Sequence, residues 1–398
     1  MSQRVALEAS FAVAEAVRMA DVDIIAAYPI TPQTHIVERL AEMVANGEPE
    51  AAYIPVESEH SAMSSCLGAA AMGARVFTAT ASQGLELMHE AVYIASSMRY
   101  PIVMALCNRT VSAPIGIWAD HSDVMSVRDT GWIQVFCQNG QESFDMTLWA
   151  FRVGEDPEVS LPVTVNLDGF SLTHVTEPVI LPEQSEVDKF LPAYHYRLAL
   201  NPEKPATHGA LGPPDIYTEI RVAQEIAMRK SKKTILQGWK EFGDVFGRYY
   251  APVEPYKAEG AKTLLLTMGS FSETAKTAID ARRDKGESVG LINLRLWRPF
   301  PFEELRQAVK GADTLIVFDR AVSSGGPGGP VFSEVRSALY DEEKRPRIVS
   351  FIGGLGGRDM LTEDFEHVLD RGREIAEKGS EELFEVVAVK GEVSGIRG

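Results

Sequence analysis

The sequence has the composition of a folded globular protein: 45% of its 398 residues are hydrophobic and 24% are charged, which excludes a disordered chain. Its 39 Lys and Arg residues are outnumbered by 56 Asp and Glu residues, giving a formal net charge of −17. Nucleic acids and anionic membranes both require a basic face, so neither is expected as a partner. At roughly 100–200 residues per domain, the length predicts two or three domains.

The three cysteines, Cys66, Cys107 and Cys137, are far apart and form no Cys-x-x-Cys pair. This spacing excludes a cysteine-ligated iron–sulfur cluster or zinc site in the chain and fits a reducing compartment. The eight histidines are scattered as well, so no metal site is predicted. The start of the chain lacks a secretory apolar segment, and no apolar stretch approaches the roughly 20 residues that span a bilayer. We therefore expect a soluble cytoplasmic protein, with Cys107 as a buried core thiol.

Residues 1–180 repeat one pattern, in which a short apolar run leads through a turn into a helix. Runs that are apolar throughout and alternate with helices are typical of parallel strands covered on both faces. We therefore predict a doubly wound α/β domain over 1–180. Its strands are expected at 23–27, 52–56, 75–80, 101–107 and 161–167.

The segment 181–255 is predicted to be a proline-rich connector with a helix. Seven of the 22 prolines lie between Pro178 and Pro214, and this density excludes a long helix or a central strand there. Aromatic residues such as Phe190 and Tyr196 indicate that the connector packs against a domain instead of forming a flexible tether. An exposed, charged helix is expected at 220–233.

Strands and helices alternate again from residue 256, which predicts a second α/β domain over 256–398. Two glycine-rich turns, at 325–329 and 353–358, follow strands but lack the spacing of a nucleotide-binding loop. Their glycines are expected to serve tight turns that need positive φ. The strands of this domain are expected at 263–268, 290–297, 314–319 and 347–352, with a helix at 274–283.

Polar residues gather where a ligand site of the first domain is expected. In open α/β sheets, ligands bind beyond the carboxyl ends of the strands. A plain connector would need only turn residues there, so polar groups at this edge indicate a site. They occur in the segments 28–32, 57–60, 82–84, 108–120 and 168–170.

Each candidate residue in these segments has a structural alternative. Thr31 before Pro32 is typical of a helix start with threonine as the N-cap. Glu57 and Glu59 at the start of the next helix would stabilise its dipole. Arg109 follows a buried strand, with no carboxylate near it in sequence. It either grips a substrate carboxylate or pairs with a distant acid, and the residues alone leave these alternatives open.

Longer motifs resemble the α subunits of 2-oxoacid:ferredoxin oxidoreductases, most closely those that act on pyruvate. The matching segments are YPITP at 28–32, ESEHSA at 57–62, TASQGL at 80–85, NR at 108–109, SAPI at 112–115, IW at 117–118, DHSD at 120–123, VNLDGF at 165–170, RLWRPFP at 295–301 and FIGGLGGRD at 351–359. The resemblance implies a thiamine-enzyme pyrimidine-binding-type domain followed by a transketolase C-terminal-like α/β domain. It also implies an activity, the CoA-dependent oxidative decarboxylation of a 2-oxoacid such as pyruvate to acetyl-CoA and carbon dioxide, or the reverse.

The resemblance assigns roles to the ambiguous residues. Glu59 takes the position of the catalytic glutamate that protonates the aminopyrimidine ring of thiamine diphosphate, which activates the thiazolium carbon. Thr31 and Arg109 take the positions of substrate-binding residues, with the arginine for the carboxylate. The cofactor-binding residues are expected to be Pro29, Ile30, Glu59 and Ile117.

Two motifs of the family are absent from the sequence. One is the Gly-Asp-Gly motif that binds diphosphate and magnesium, and the other is the set of cluster-ligating cysteines. The resemblance therefore implies that thiamine diphosphate is shared with a β subunit. Mg²⁺ and iron–sulfur clusters are then expected in partner subunits, and the expected partners are the β subunit, further γ and δ subunits, ferredoxin, CoA and the 2-oxoacid.

The sequence also departs from the family pattern near the expected pocket, at 6–10 and at Gly116 and Ala119. These departures leave a branched-chain, aryl or other 2-oxoacid as an alternative substrate. A dicarboxylate is disfavoured, because it would require a second cation beside Arg109. A non-catalytic structural subunit is the alternative role for the chain.

Overall fold

The computed structural model describes residues 3–391, which form two large sheets and one small antiparallel sheet. The strands are β1 (Gln3–Glu8), β2 (Ile24–Ala27), β3 (Ala52–Pro55), β4 (Val76–Thr80), β5 (Val103–Asn108), β6 (Ile133–Phe136), β7 (Val163–Asp168), β8 (Thr176–Leu181), β9 (Val253–Tyr256), β10 (Thr263–Thr267), β11 (Val289–Leu294), β12 (Leu296–Arg298), β13 (Thr314–Asp319), β14 (Arg347–Ile352) and β15 (Glu385–Val386).

Helices cover the sheets, and none of those described within 3–391 combines the length and apolar character that a bilayer-spanning segment needs. They are α1 (Ala9–Met19), α2 (Thr34–Ala45), α3 (Glu59–Ala71), α4 (Ser82–Leu87), α5 (His89–Ser97), α6 (Ser122–Ser126), α7 (Gly140–Gly154), α8 (Gln184–Phe190), α9 (Tyr217–Phe246), α10 (Phe271–Asp284), α11 (Phe302–Ala308), α12 (Pro330–Leu339) and α13 (Thr362–Lys378). A short 3-10 turn lies at Leu355–Gly357.

The first sheet has the strand order β12–β6–β7–β5–β4–β2–β3, and only β12 runs antiparallel to its neighbour. Alternate residues of β5 enter different cores. Val103 and Ala105 pack in the core formed with α1, α2 and α7, whereas Met104 and Leu106 pack in the core formed with α3 and α5. Both faces are therefore covered, which explains why the strand is apolar throughout. The doubly wound α/β prediction is confirmed.

The second sheet has the order β15–β14–β13–β10–β11–β9, with β9 antiparallel to β11. Its core strands β10, β11 and β13 are buried along their whole length. Helices α10 and α13 pack on one face, and α11 and α12 pack on the other. This is again an α/β layer arrangement, as predicted.

The prediction of a single strand over 290–297 is wrong. The segment forms β11 and β12, which lie in different sheets on either side of Arg295. Arg295 is fully buried, and its Nη2 atom pairs with Glu142 of α7 at 2.6 Å and with Glu254 of β9. The chain thus passes from the second sheet to the first at Arg295. Because both strands are buried, the apolar run gives no signal of the break.

The helix expected at 220–233 extends much further, as α9, and only its first half is largely exposed. Trp239 stacks on Trp149 of α7 with ring centroids 4.9 Å apart. Phe242 is fully buried and meets Phe190 edge to face at 5.2 Å. The helix therefore continues beyond the predicted segment, and this second half packs on the first domain.

The three cysteine thiols are all buried. This confirms the interpretation of Cys107 as a core residue. Burial raises the pKa of Cys66 to about 12. A thiol with so high a pKa is almost entirely protonated near neutral pH, so it is a poor nucleophile.

The carboxyl edges of the two sheets meet at Asp168, the last residue of β7. Its Oδ1 atom lies 2.7 Å from Nε2 of His121, and its Oδ2 atom accepts the Ser270 backbone N–H at 2.7 Å and pairs with Nη1 of Arg320 at 3.1 Å. Burial opposes ionisation, but the charges of Arg320 and His121 hold the pKa of Asp168 well below its usual range. Since Ser270 follows β10 and Arg320 follows β13, the second domain is docked at the edge where the site is expected.

Candidate active site

The site begins where β2 and β4 lie side by side and their connections diverge. Strand β2 lies between β3 and β4 in the sheet. The chain runs from β2 to β3 on one side and then crosses back to β4 on the other side. Ligands of open α/β sheets bind at such a crevice. The side chain of Gln33 links the loop after β2 to β4 at this crevice. Its Nε2 atom donates to the carbonyls of Tyr28 at 3.2 Å and Ala79 at 2.7 Å.

Thr31 lies in the loop between β2 and α2, and it is not a helix cap. Helix α2 begins at Thr34 with Gln33 at the N-cap position, so the capping interpretation of Thr31 is wrong. Thr31 is exposed, and its backbone carbonyl accepts a 2.8 Å hydrogen bond from Nη1 of Arg109. The two predicted substrate residues are therefore in direct contact.

Arg109 directly follows β5 and is 5% exposed. Besides Thr31, its guanidinium binds the carbonyl of Gly116 through Nε at 2.7 Å. Within residues 3–391 it forms no salt bridge, so a structural ion pair with a distant acid is not what holds it. Burial lowers the pKa of Arg109, as expected for a cation that lacks a directly paired anion.

Glu59 is the first residue of α3, and Ser58 caps that helix by accepting the Ser61 N–H at 3.2 Å. Glu59 is only 7% exposed. Its carboxylate has no hydrogen-bond or ion-pair partner in the described part of the chain, although buried carboxylates normally have one. A buried acid in this state is able to bind a ligand.

Gly84 of α4 allows the Glu59 side chain to pack closely against the start of that helix. A Cβ atom at this position would lie 2.7 Å from Oε1 of Glu59 and 2.5 Å from Oγ1 of Thr80. The Thr80 hydroxyl is itself buried and has no hydrogen-bond partner among residues 3–391. A carboxylate and a hydroxyl, both unpaired, therefore flank one glycine at the carboxyl edge of the sheet.

Glu57 lies outside the helix, in contrast to the prediction that it begins it. It is exposed, and its carboxylate accepts a hydrogen bond from the Ser61 hydroxyl, which lowers the pKa of Glu57. Glu57 is thus exposed and hydrogen-bonded, whereas Glu59, two residues away, is buried and lacks a hydrogen-bond partner in the described part of the chain.

The predicted apolar residues lie on the two loops that the Arg109–Thr31 hydrogen bond joins. Pro29 is exposed and Ile30 packs on the first core, both in the loop after β2. Ile117 is half-buried beside Gly116, in the loop after β5. The structure thus brings these loops together at Arg109.

The glycine-rich turn at 353–358 packs against the loop after β5. The Gly357 N–H donates to the carbonyl of Ala119 at 2.7 Å. Gly354, Gly356 and Gly357 have φ of 68°, 60° and 74°, so the expectation of a turn that needs positive φ is confirmed here. In the 325–329 turn only Gly325 has a positive φ, of 75°. This turn brings the second domain against the loop that carries Ile117.

The sequence motifs gave no role to Asp123, although DHSD at 120–123 was part of the match. Its carboxylate is fully buried and accepts the backbone N–H groups of Ser82 at 3.0 Å and Arg109 at 2.9 Å. Burial raises the pKa of Asp123 to about 7. Because Asp123 lies fourteen residues after Arg109, no local sequence pattern indicates that the two are in contact.

Residues 15–238 match the sequence model of pyruvate flavodoxin/ferredoxin oxidoreductase, thiamine diP-bdg, and residues 261–365 match that of pyruvate:ferredoxin oxidoreductase core domain II. The first match alone spans more than half of the chain. The chain belongs to the pyruvate:ferredoxin oxidoreductase family. This confirms the family and the thiamine diphosphate-binding first domain that the motifs predict.

Two relatives show the range of names within the family. The pyruvate synthase subunit PorA of Methanothermobacter thermautotrophicus is 48% identical over 92% of this chain and 94% of its own length. The ketoisovalerate oxidoreductase subunit VorA of Pyrococcus horikoshii is 43% identical over 93% of this chain and 94% of its own. Both names are those of subunits, so family members work within multi-subunit oxidoreductase complexes.

Solved structures share the fold at low sequence identity. The 2-oxoglutarate:ferredoxin oxidoreductase of Magnetococcus marinus superposes with a TM-score of 0.72 at 18% identity over 94% of this chain, which spans 65% of that longer one. A split-gene transketolase superposes with a TM-score of 0.55 at 12% identity over 94% of this chain and 99% of its own. Both neighbours confirm the thiamine-enzyme arrangement of two α/β domains.

The residues at the site fit the aminopyrimidine end of thiamine diphosphate. A ring nitrogen requires a buried hydrogen-bonding carboxyl group, and Glu59 supplies one that is unpaired. Because Gly84 has no side chain, this carboxylate is able to lie close to the start of α4. No group of three or more His, Cys, Asp or Glu side chains within 3–391 is arranged to hold a metal ion.

Proposed function

We propose that this chain is the α subunit of a thiamine diphosphate-dependent pyruvate:ferredoxin oxidoreductase. The reaction converts pyruvate and CoA to acetyl-CoA and carbon dioxide, with two electrons passing to ferredoxin, or runs in reverse. One observation carries the proposal: the buried, unpaired carboxylate of Glu59 lies at the same sheet edge as the Arg109–Thr31 pair. This edge supplies both a cofactor-activating acid and a carboxylate-binding cation.

Arg109 binds and orients the carboxylate of the 2-oxoacid. A guanidinium carries five N–H donors, and the bonds to Gly116 and Thr31 use one from Nε and one from Nη1. The donors that remain form a fork able to hold a carboxylate through two hydrogen bonds. Because two carbonyls fix the plane of the guanidinium, the substrate is held in one orientation. The Thr31 hydroxyl, beside it, donates to the bound oxoacid.

Glu59 holds a proton on the cofactor ring. When bound, thiamine diphosphate supplies a nucleophilic carbon for the 2-oxo group and a sink for the electrons released as carbon dioxide leaves. The carboxyl group of Glu59 shares its hydrogen bond with the ring nitrogen and stabilises the tautomer that this chemistry needs. Its burial strengthens that hydrogen bond, since little water competes for it.

The loops around Arg109 exclude water from the reacting carbon. Ile30 and Ile117 come from the two joined loops, and Trp118 is packed under Gly357 of the second domain. Loss of carbon dioxide disperses charge, so an apolar environment at that carbon favours it. The contact between Trp118 and the 353–358 turn gives the second domain a part in shaping the pocket.

The partners and location follow from what the chain lacks. No Gly-Asp-Gly motif and no cluster-type cysteine spacing occur in the sequence. We therefore assign Mg²⁺, the diphosphate-binding loop and the iron–sulfur clusters to a β subunit and further γ and δ subunits, within a cytoplasmic complex. The chain thus contributes half of each active site.

A branched-chain 2-oxoacid is the second candidate substrate, favoured by the 43% identity to a ketoisovalerate oxidoreductase subunit. Pyruvate is preferred because the pyruvate synthase subunit of Methanothermobacter is 48% identical.

The test is CoA-dependent viologen reduction by the purified complex with pyruvate, 2-oxoisovalerate, an aryl pyruvate and 2-oxoglutarate. We expect the highest kcat/KM for pyruvate. A higher value for 2-oxoisovalerate moves the assignment to the branched-chain enzymes. Full activity of a complex from which this chain has been removed would instead make the chain a structural subunit.

A further inference from the structure

Asp123, the second residue of α6, is a buried acid near the site whose carboxylate accepts four hydrogen bonds. Its Oδ2 atom accepts the backbone N–H groups of Ser82 at 3.0 Å and Arg109 at 2.9 Å. Its Oδ1 atom accepts Nδ2 of Asn108 at 3.1 Å and the backbone N–H of Val124 at 2.7 Å. One carboxylate therefore joins the end of β5, the start of α4 and its own helix.

The two segments that Asp123 joins position the two side chains proposed to act in the reaction, Glu59 and Arg109. Ser82 begins α4, and Gly84 in the same turn lies against the Glu59 carboxylate. Arg109 reaches in the other direction, to the carbonyl of Thr31. The Ser82 hydroxyl adds a second link, because it donates to the carbonyl of Thr110.

We propose that Asp123 is a positioning residue that sets the placement of Arg109 relative to Glu59. It touches neither cofactor nor substrate. It acts through the backbone amides at the start of α4 and at Arg109, and so fixes where the carboxylate of the oxoacid lies relative to the activated cofactor. Small misplacements of this kind cost up to about a hundredfold in rate.

A carboxylate is required at this position because four N–H donors converge on two oxygens. An asparagine has one acceptor oxygen and one NH2 group. Whichever way it is turned, its NH2 group faces N–H donors. Either the amides of Ser82 and Arg109 or the donors of Asn108 and Val124 then lose their acceptor, and a buried unsatisfied donor is costly.

Asp319 offers a matched control in the second domain. It is buried at the end of β13 and accepts the backbone N–H groups of Val331 at 2.8 Å and Phe332 at 3.0 Å. Burial raises the pKa of Asp319 to about 7, as it does for Asp123. It is thus an equally buried acid with the same kind of contacts, but the amides it holds belong to α12 and not to the site.

The experiment compares Asp123→Asn and Asp319→Asn in the assembled complex. We expect KM for the 2-oxoacid to rise at least about tenfold in Asp123→Asn and to stay within about twofold of wild type in Asp319→Asn. Hydrogen exchange measured by mass spectrometry should be faster in the peptides that contain Ser82 and Arg109 for the first variant only. Thermal midpoints should fall in both.

Asn108→Ala is the second variant, for use if Asp123→Asn does not assemble. It removes one donor to Oδ1 and leaves the two backbone contacts of Oδ2 intact. A smaller rise in KM, roughly two- to fivefold, is expected from partial loosening of this contact. If the Asp123→Asn complex assembles and has the wild-type KM, the positioning role is overturned. If that variant does not assemble, a wild-type KM for Asn108→Ala overturns it.

The inference rests on the proposed function, and the two fail in different ways. If the wild-type complex turns over none of the tested 2-oxoacids, the proposed function is wrong, while the exchange data still report on the Ser82 and Arg109 amides. If wild type is active and both Asp→Asn variants change KM equally, the proposed function survives and the positioning role of Asp123 is wrong.

Discussion

The backbone carbonyl of Thr31 accepts a 2.8 Å hydrogen bond from Nη1 of Arg109, which lies 78 residues further along the chain. This contact closes the loop after β2 onto the loop after β5. It also brings the two proposed substrate residues together although their strands are not neighbours in the sheet, where β4 lies between them. The side chain that we propose binds the substrate therefore also holds the loop after β2 in place.

Replacing Glu59 with Gln should abolish most of the activity without unfolding the chain. Glutamine keeps the shape but cannot share a proton with the ring nitrogen, and loss of general acid–base catalysis costs about 10²–10⁴-fold. The measurement is viologen reduction by the assembled complex with saturating thiamine diphosphate. Glu57→Gln is the control, because that side chain is exposed and hydrogen-bonds to Ser61 of its own segment. Turnover near the wild-type rate in Glu59→Gln would remove Glu59 from the mechanism.

Gly84→Ala should impair both activity and stability. The new Cβ would lie 2.7 Å from Oε1 of Glu59, so the carboxylate or α4 has to move, at a cost of about 1–3 kcal/mol. Gly68→Ala in α3 is the matched control, because nothing lies within 4 Å of its Cβ position. Alanine in that helix should be neutral or stabilising by up to about 1 kcal/mol. Thermal unfolding and kcat together test this, and equal effects at both glycines would contradict it.

Arg109→Lys should raise KM for the 2-oxoacid more than it lowers kcat. Lysine keeps the charge but cannot bind the carbonyls of Gly116 and Thr31 and a carboxylate at the same time. The loss of one or two charge-assisted hydrogen bonds corresponds to about 10–100-fold. Steady-state kinetics over a range of pyruvate concentrations measure the split. Arg128→Lys, at a half-buried arginine beside Asp129, should leave KM unchanged.

Asp168→Asn should destabilise the contact between the two domains in a pH-dependent way. Breaking a buried ion pair costs about 3–5 kcal/mol at neutral pH. The pKa of Asp168 is held below its ordinary value of 3.8, so its stabilisation is complete above that value and is lost as the pH falls through the lower, folded-state pKa. Thermal midpoints of wild type and variant should therefore differ clearly at pH 5 and converge as the pH falls below about 4. A difference that persists unchanged down to about pH 2 would contradict the assignment to this carboxylate.

Strands buried on both faces could be predicted from the sequence almost residue by residue. The segments predicted at 314–319 and 347–352 coincide with β13 and β14. Strand β8 was not predicted, because only Val179 of its six residues is buried and its apolar run is short. The break between β11 and β12 was not predicted either, because the run continues across Arg295.

The candidate site could be predicted as a set of residue types but not as a set of contacts. The motifs drew attention to Glu59 and Arg109, and the structure gives both the burial expected of functional groups. The N-cap role of Thr31 failed because the chain makes a further turn before α2 begins at Thr34. The role of Asp123 was missed because its partner Ser82 lies 41 residues away.

The sequence by itself determined the family, the α/β class and the chemical groups at the sheet edge, since motifs and apolar runs are local properties of the chain. The tertiary structure decided which of these groups meet. It set Gly84 against Glu59, Asp123 beneath Arg109 and Ser82, and Asp168 between the two sheets. These contacts depend on strand order and domain docking, which join segments far apart in the chain and leave no periodic pattern in the sequence.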